Sequence, residues 1–193
     1  MLNVPNALTL LRIVAIPVFL TLLTDERYTE ALVVMAAAVF TDAVDGAIAR
    51  LTNQKTTLGS YLDPLADKML LLSAFITLAF LNAVPMWLTV LVISRDVVIV
   101  VGFFLLFVLT QRTMEVSPTA FGKGATFFQA LSVVAVLAHF ASVAIVPGQW
   151  LTVLFVVTGT VTAVAGLQYM YRGVVWVSRE QTASQPPEAP PSG

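Results

Sequence analysis

The sequence predicts an all-α integral membrane protein with six transmembrane helices, and three observations carry that expectation. Hydrophobic residues make up 58% of the 193-residue chain and charged residues only 11%, where an ordinary soluble domain carries about 25% charged residues. Mean hydropathy is +0.89. Apolar runs long enough to cross a bilayer, about 20 residues each, recur six times, at 4–23, 30–50, 63–82, 86–110, 124–146 and 150–172.

The first run, within MLNVPNALTLLRIVAIPVFLTLL, follows no basic n-region and has no small-residue cleavage site, so it reads as a retained helix and not a signal peptide. It is also not an Arg- and Ser-rich transit sequence, which points to a bacterial or archaeal plasma membrane. Thr24-Asp25-Glu26-Arg27 parts run one from run two, and the polar stretch Leu51 to Ser60 parts two from three. Asn82 to Pro85 is so short that helices three and four must form a tight hairpin. Gln111 to Pro118 and then Pro147-Gly148 bound the fifth run. The closing QTASQPPEAPPSG is Pro- and Ser-rich without periodic apolar positions. A disordered tail over 179–193 is therefore expected after one six-helix domain over 1–178, with no internal repeat.

Six spans place both termini on one side. That side holds Arg50, Lys55, Arg112, Lys123, Arg172 and Arg179, against Arg27 alone on the other, so the positive-inside bias puts both termini and the loop after Asp45 in the cytoplasm. A net charge of -1 gives no global basic field for nucleic acid. The absence of cysteine excludes disulfides, thiolate metal sites and a cysteine nucleophile.

Four aspartates, Asp42, Asp45, Asp63 and Asp67, stand in or beside runs two and three. On helices, Asp42 and Asp45 share a stripe with Gly46 and Ala49, while Asp63 and Asp67 sit four apart on the next element. Both pairs fall near the cytoplasmic ends of two antiparallel helices and can converge. Burying four close carboxylates costs several kcal/mol per ion unless partners compensate, and Arg50, Lys55 and Lys68 are too few and partly in the loop. Hard divalent cations would balance them, and an oxygen-only set with no nearby His or Cys selects Mg²⁺, Mn²⁺ or Ca²⁺ over zinc or copper. Such ions take substrate phosphates as further ligands, and a pair can clamp the attacking and leaving oxygens of phosphoryl transfer.

Smaller features agree. Gly46 and Ala49 leave room for a flat ligand group, and Arg50 offers a forked donor for phosphate. Gly59 is expected to supply an unusual loop dihedral before Asp63-Pro64, where Asp would cap and Pro would open helix three. Each also has a plainer reading, since small residues at helical spacing serve close packing and Asp-Pro is a common cap.

Taken together these residues spell D-x2-D-G-x2-A-R-x8-G-x3-D-x3-D, with all eight positions filled by Asp42, Asp45, Gly46, Ala49, Arg50, Gly59, Asp63 and Asp67. The pattern resembles the signature of the CDP-alcohol phosphatidyltransferases, a membrane family with six transmembrane helices, usually dimeric. The resemblance implies that Asp42, Asp45 and Asp63 bind a pair of divalent ions, Mg²⁺ or Mn²⁺, with Asp67 completing the cluster. It also implies that Asp67 is the general base, taking the proton of an acceptor hydroxyl as that hydroxyl attacks the β-phosphorus of CDP-diacylglycerol and CMP leaves. Gly46, Ala49, Arg50 and Gly59 would then lie around the CDP moiety.

The acceptor alcohol has to be sought outside the signature. Asn6, Thr9 and Arg12 fall at three-residue spacing in NVPNALTLLRIVAIP, a stretch similar to the first helix of the phosphatidylglycerol-making and cardiolipin-making branches. They are read as cavity residues or as an interfacial helix start with a snorkelling arginine. Arg95 and Asp96 lie well inside run four and are candidates for lining a substrate cavity, or for a clamp between helices. TTLGSYLDPLADKMLL looks most like the CDP-diacylglycerol-dependent cardiolipin synthases. Phosphatidylglycerophosphate synthases tend to carry a further arginine where this chain has Val101-Gly102-Phe103-Phe104. Glycerol 3-phosphate, a free phosphomonoester, needs extra cationic donors. The expected acceptor is therefore phosphatidylglycerol, with glycerol 3-phosphate as the alternative because Arg112 and Lys123 can also supply charge.

Two other classes fit the sequence less well. A transporter or channel would use intramembrane ionisable residues, but the repeats expected of many transporters are not visible. A membrane prenyltransferase would hold diphosphate with two widely separated Asp-rich segments, whereas these pairs are adjacent. His139, the single histidine, reads as a packing residue, and Trp87, Trp150 and Trp176 as interfacial anchors.

Overall fold

A computed structural model describes the backbone of residues 4–52, 57–110, 119–142 and 147–183, with side chains described over 13–41, most of 68–108, 119–142 and most of 147–178. All regular structure among these residues is helical: α1 (Val4–Thr24), α2 (Tyr28–Thr52), α3 (Thr57–Phe80), α4 (Met86–Thr110), α5 (Ala120–Phe140) and α6 (Gly148–Ala183).

The helices trace a closed ring. α1 packs on both α2 and α3, α3 on α4, α4 on α6, α6 on α5 and α5 back on α2, while α3 also touches α5 across the interior. Side-chain contacts give the register. The Thr89 hydroxyl donates to the Phe75 carbonyl at 3.3 Å and Lys68 meets Asp96, so α3 and α4 form the expected antiparallel hairpin. Gln129 Nε2 donates to Thr162 Oγ1 at 3.2 Å, and Ser132 and Thr158 share a 2.8 Å hydroxyl bond, which sets α5 antiparallel to α6. α4 and α6 run parallel, with Trp87 against Gly159 and Arg95 against Gly166.

The apolar core described here fills one half of this ring. It joins Phe19 and Leu23 at the end of α1, Met35 early in α2, Phe75 and Leu78 late in α3, Leu88 and Val92 early in α4, Val136 and Leu137 late in α5, and Phe155 early in α6. That is the half away from the α2–α3 connection. Beyond it the buried side chains turn polar, with Arg95, Gln129, Ser132, Thr158 and Thr162. The outer surface is apolar, with Val97, Val100, Val101 and Phe104 exposed on α4 and Val153, Val156, Leu167 and Met170 on α6, a strip that water would penalise. Among the described residues, Ala120–Phe140 and Gly148–Trp176 are long and apolar enough to cross a membrane by length and composition.

Several expected boundaries move. α3 begins at Thr57, so Asp63-Pro64 stands inside the helix instead of opening it, and Gly59 is helical and not a loop residue. Pro64 lacks only one donor, and a helix runs through such a site when the freed carbonyl is satisfied locally. α5 starts at Ala120 because Thr119, extended at φ -76° and ψ 153°, caps it and accepts the Gly122 N–H at 2.9 Å. α6 continues to Ala183, past Arg179 where the tail was expected to begin; no proline intervenes before Pro186. Residues 184–193 lie outside the described residues. Trp87 is half exposed near the start of α4, yet its ring also packs on Gly159. His139 is exposed at the end of α5 and stacks edge-on with Phe140, ring centroids 5.5 Å apart.

Candidate active site

The eight signature positions fall on two consecutive helices. Asp42, Asp45, Gly46, Ala49 and Arg50 lie in the second half of α2, and Gly59, Asp63 and Asp67 in the first half of α3. Thr52 and Thr57 end and begin these helices. At a rise of about 1.5 Å per residue, Asp45 and Asp42 stand about 10 and 15 Å from the end of α2, and Asp63 and Asp67 about 9 and 15 Å from the start of α3. The two pairs therefore occupy the same depths measured from the α2–α3 connection. Their side chains, like those of Asn6, Thr9 and Arg12 on α1, lie outside the described residues. Among the described residues no group of three or more His, Asp or Glu is placed to hold a metal.

The donor set itself is a test of fit. Four carboxylates carried by two consecutive helices that both pack on α1 are, by chemistry, the all-oxygen donors that hard divalent cations take. The α2–α3 sequence contains no His or Cys of the kind zinc sites draw on.

From the next residue of α3, side chains meet across to α4. Arg95 Nη1 donates to Asp96 Oδ1 at 2.8 Å, and Lys68 Nζ stands 3.6 Å from the same oxygen. Lys68 directly follows Asp67 in the chain, so this cluster adjoins the candidate metal centre along α3. The Arg95 side chain is only 7% exposed, and its stem lies along Gly166, where an added Cβ would sit 3.5 Å from Arg95 Cγ. Among the described residues, Arg95 Nε is buried without a hydrogen-bond partner, as is Gln168 Oε1 on α6. Lys68, Arg95, Asp96, Thr126 and Gln129 border a cavity of about 10 Å³, the scale of a single water.

Arg95 and Asp96 thus border a water-sized void, and Asp96 meets Lys68 of α3, which the sequence marked only as a nearby cation. Lys123 is exposed in the first turn of α5 and does not line that cavity. Thr126, Gln129 and Gln168 escaped the sequence reading. The rule that singled out Arg95, a polar group inside an apolar run, would have found all three.

An all-helical ring with paired aspartates on consecutive helices defines a class, and a family model described as CDP-alcohol phosphatidyltransferase matches residues 2–169. The chain belongs to that family. Cardiolipin synthase (CMP-forming) of Rattus norvegicus is 45% identical over 103 residues, covering 53% of this chain and 34% of the rat protein. The CDP-diacylglycerol–glycerol-3-phosphate 3-phosphatidyltransferase of Bacillus subtilis is 34% identical over 194 residues, covering 88% of this chain and 94% of that protein. A probable phosphatidylglycerophosphate synthase of Mycobacterium tuberculosis is 36% identical over 137 residues, 68% of this chain and 64% of its own. The chain spans about a third of the rat protein's length. Family membership leaves the transporter and prenyltransferase readings without support.

Proposed function

We propose that this chain is a phospholipid-synthesising membrane enzyme that transfers a phosphatidyl group from CDP-diacylglycerol to phosphatidylglycerol, forming cardiolipin and releasing CMP. One observation carries the reading: every fixed position of the family signature is present, on two consecutive helices, α2 and α3.

Asp42, Asp45, Asp63 and Asp67 would hold two Mg²⁺ or Mn²⁺ ions. When bound, such ions neutralise pyrophosphate charge and steady the attacking and departing oxygens. Asp67 takes the proton of the acceptor hydroxyl as its oxygen attacks the β-phosphorus and the bond to CMP breaks. A base of this kind needs a carboxylate whose role is separate from that of the pure ligands. Arg50 offers its planar fork to phosphate oxygens. Gly46, Ala49 and Gly59 leave room beside the backbone for the nucleotide. Asn6, Thr9, Arg12, Arg95, Asp96 and Lys123 are assigned to the wider acceptor cavity.

The enzyme is proposed to cross a bacterial or archaeal plasma membrane six times, with both termini and the site on the cytoplasmic side; the apolar outer strips of α4 and α6 support the membrane setting, and the distribution of Lys and Arg supports the orientation. The functional unit is proposed to be a homodimer. Phosphatidylglycerol is preferred because Val101-Gly102-Phe103-Phe104 lacks an arginine for a phosphomonoester. Glycerol 3-phosphate is the second reading, favoured by the extent of the Bacillus subtilis match. Purified protein given CDP-diacylglycerol and, separately, phosphatidylglycerol, glycerol 3-phosphate, inositol phosphate or serine should release CMP with phosphatidylglycerol. Release with glycerol 3-phosphate alone would overturn the acceptor, and release with none would overturn the activity.

A further inference from the structure

The Arg95–Asp96–Lys68 cluster has a division of labour that none of its members shows alone. Asp96 Oδ1 receives both cations, Arg95 Nη1 at 2.8 Å and Lys68 Nζ at 3.6 Å. The two sides differ in exposure. Arg95 is 7% exposed and seated along Gly166, so Asp96 is fixed from the α4–α6 interface. Lys68 is 46% exposed and belongs to α3. A half-exposed lysine has four rotatable bonds to order, and the anchored carboxylate supplies the charge that orders it.

We infer that Asp96 is a positioning residue: anchored on α4 by Arg95, it draws the Lys68 ammonium across and thereby fixes the rotation of α3 at the level of Asp67. The inference rests on the proposed transfer activity. Among the described residues, the Thr89–Phe75 bond also ties α3 to α4, about two turns deeper, in the apolar core. A helix free to turn about its axis carries the residue before Lys68 with it. A misplacement on the order of 1 Å in a reacting group can cost about 100-fold in rate, so a bridge of small stability value has a large kinetic effect.

The test uses the full chain in detergent, with CMP release from CDP-diacylglycerol and phosphatidylglycerol normalised to folded protein. Asp96→Asn should lower kcat by about ten- to a hundred-fold while the KM for CDP-diacylglycerol stays within about twofold. Lys68→Met should do the same, and the double variant should be no worse than the poorer single one, because both remove one bridge. Asp96→Glu should recover most of the rate that Asp96→Asn loses. A wild-type kcat for Asp96→Asn, or losses that multiply in the double variant, would overturn the inference. Should Asp96→Asn not fold, Lys68→Met decides: full rate in that variant overturns it. Wild-type protein that releases no CMP with any acceptor overturns the activity itself, whereas an active wild type with an unimpaired Asp96→Asn overturns the positioning role alone.

Discussion

Two glycines on one face of α6 give a graded test of the packing that seats Arg95. A Cβ on Gly159 would lie 2.6 Å from Trp87 Cζ3 and 3.0 Å from Cη2, whereas one on Gly166 would meet Arg95 Cγ at 3.5 Å, an ordinary contact. Gly→Ala inside a helix gains about 1 kcal/mol from propensity, and forcing extra bulk into a packed interface costs about 1–3 kcal/mol. Gly166→Ala should therefore range from neutral to about 1 kcal/mol stabilising. Gly159→Ala should range from neutral to about 2 kcal/mol destabilising once the same propensity gain is set against the clash. For a chain of this size each kcal/mol shifts Tm by about 2–4 °C, so the variants should separate measurably in thermal unfolding followed by tryptophan fluorescence in detergent. Trp87 is 50% exposed, so its ring can swing aside, and the clash should move its emission. Trp87→Leu in the Gly159→Ala background should restore stability. If Gly159→Ala is at least as stable as Gly166→Ala, or Trp87→Leu brings no relief, α4 and α6 do not pack in this parallel register.

Two further outcomes bear on the site and the core. Asp67→Asn should abolish CMP release, since a lost general base costs about 10²–10⁴-fold, while binding of CDP-diacylglycerol persists; near-normal turnover would remove Asp67 as the base. Phe75→Ala should destabilise the chain by about 3–5 kcal/mol, because Phe75 is fully buried at the centre of the apolar half, and chemical denaturation in detergent reads this directly. A loss below about 1 kcal/mol would mean that the site collapses around the deletion.

What the sequence revealed and what it hid divide along physical lines. The number of helices, the α3–α4 hairpin and the span of α4 followed from apolar length and punctuation, because lipid-crossing segments need a minimum run. Helix ends were less legible. Hydropathy records where a chain leaves an apolar medium, not where its hydrogen bonds stop, so α6 was expected to end at residue 172 and continues to Ala183. Asp63-Pro64 resembles a helix start, yet the helix already runs from Thr57. Thr119 was a visible cap that hydropathy outweighed. The aspartates stood out through spacing alone, since periods of three and four register on a helix without reference to its neighbours. The Lys68–Asp96 bridge was invisible for the opposite reason: it depends on how far α3 is rotated against α4, and no single-helix period encodes that. The ring order, with α1 between α2 and α3, is equally a property of packing between helices.

Cation binding by the purified chain bears most directly on the role given to the aspartates. Titration with Mn²⁺ followed by electron paramagnetic resonance, with CDP-diacylglycerol present, should count about two tightly held ions per chain, and Asp45→Asn should release them while the helical content is unchanged. No tightly held Mn²⁺ in the wild type, or an undiminished count in Asp45→Asn, would contradict it.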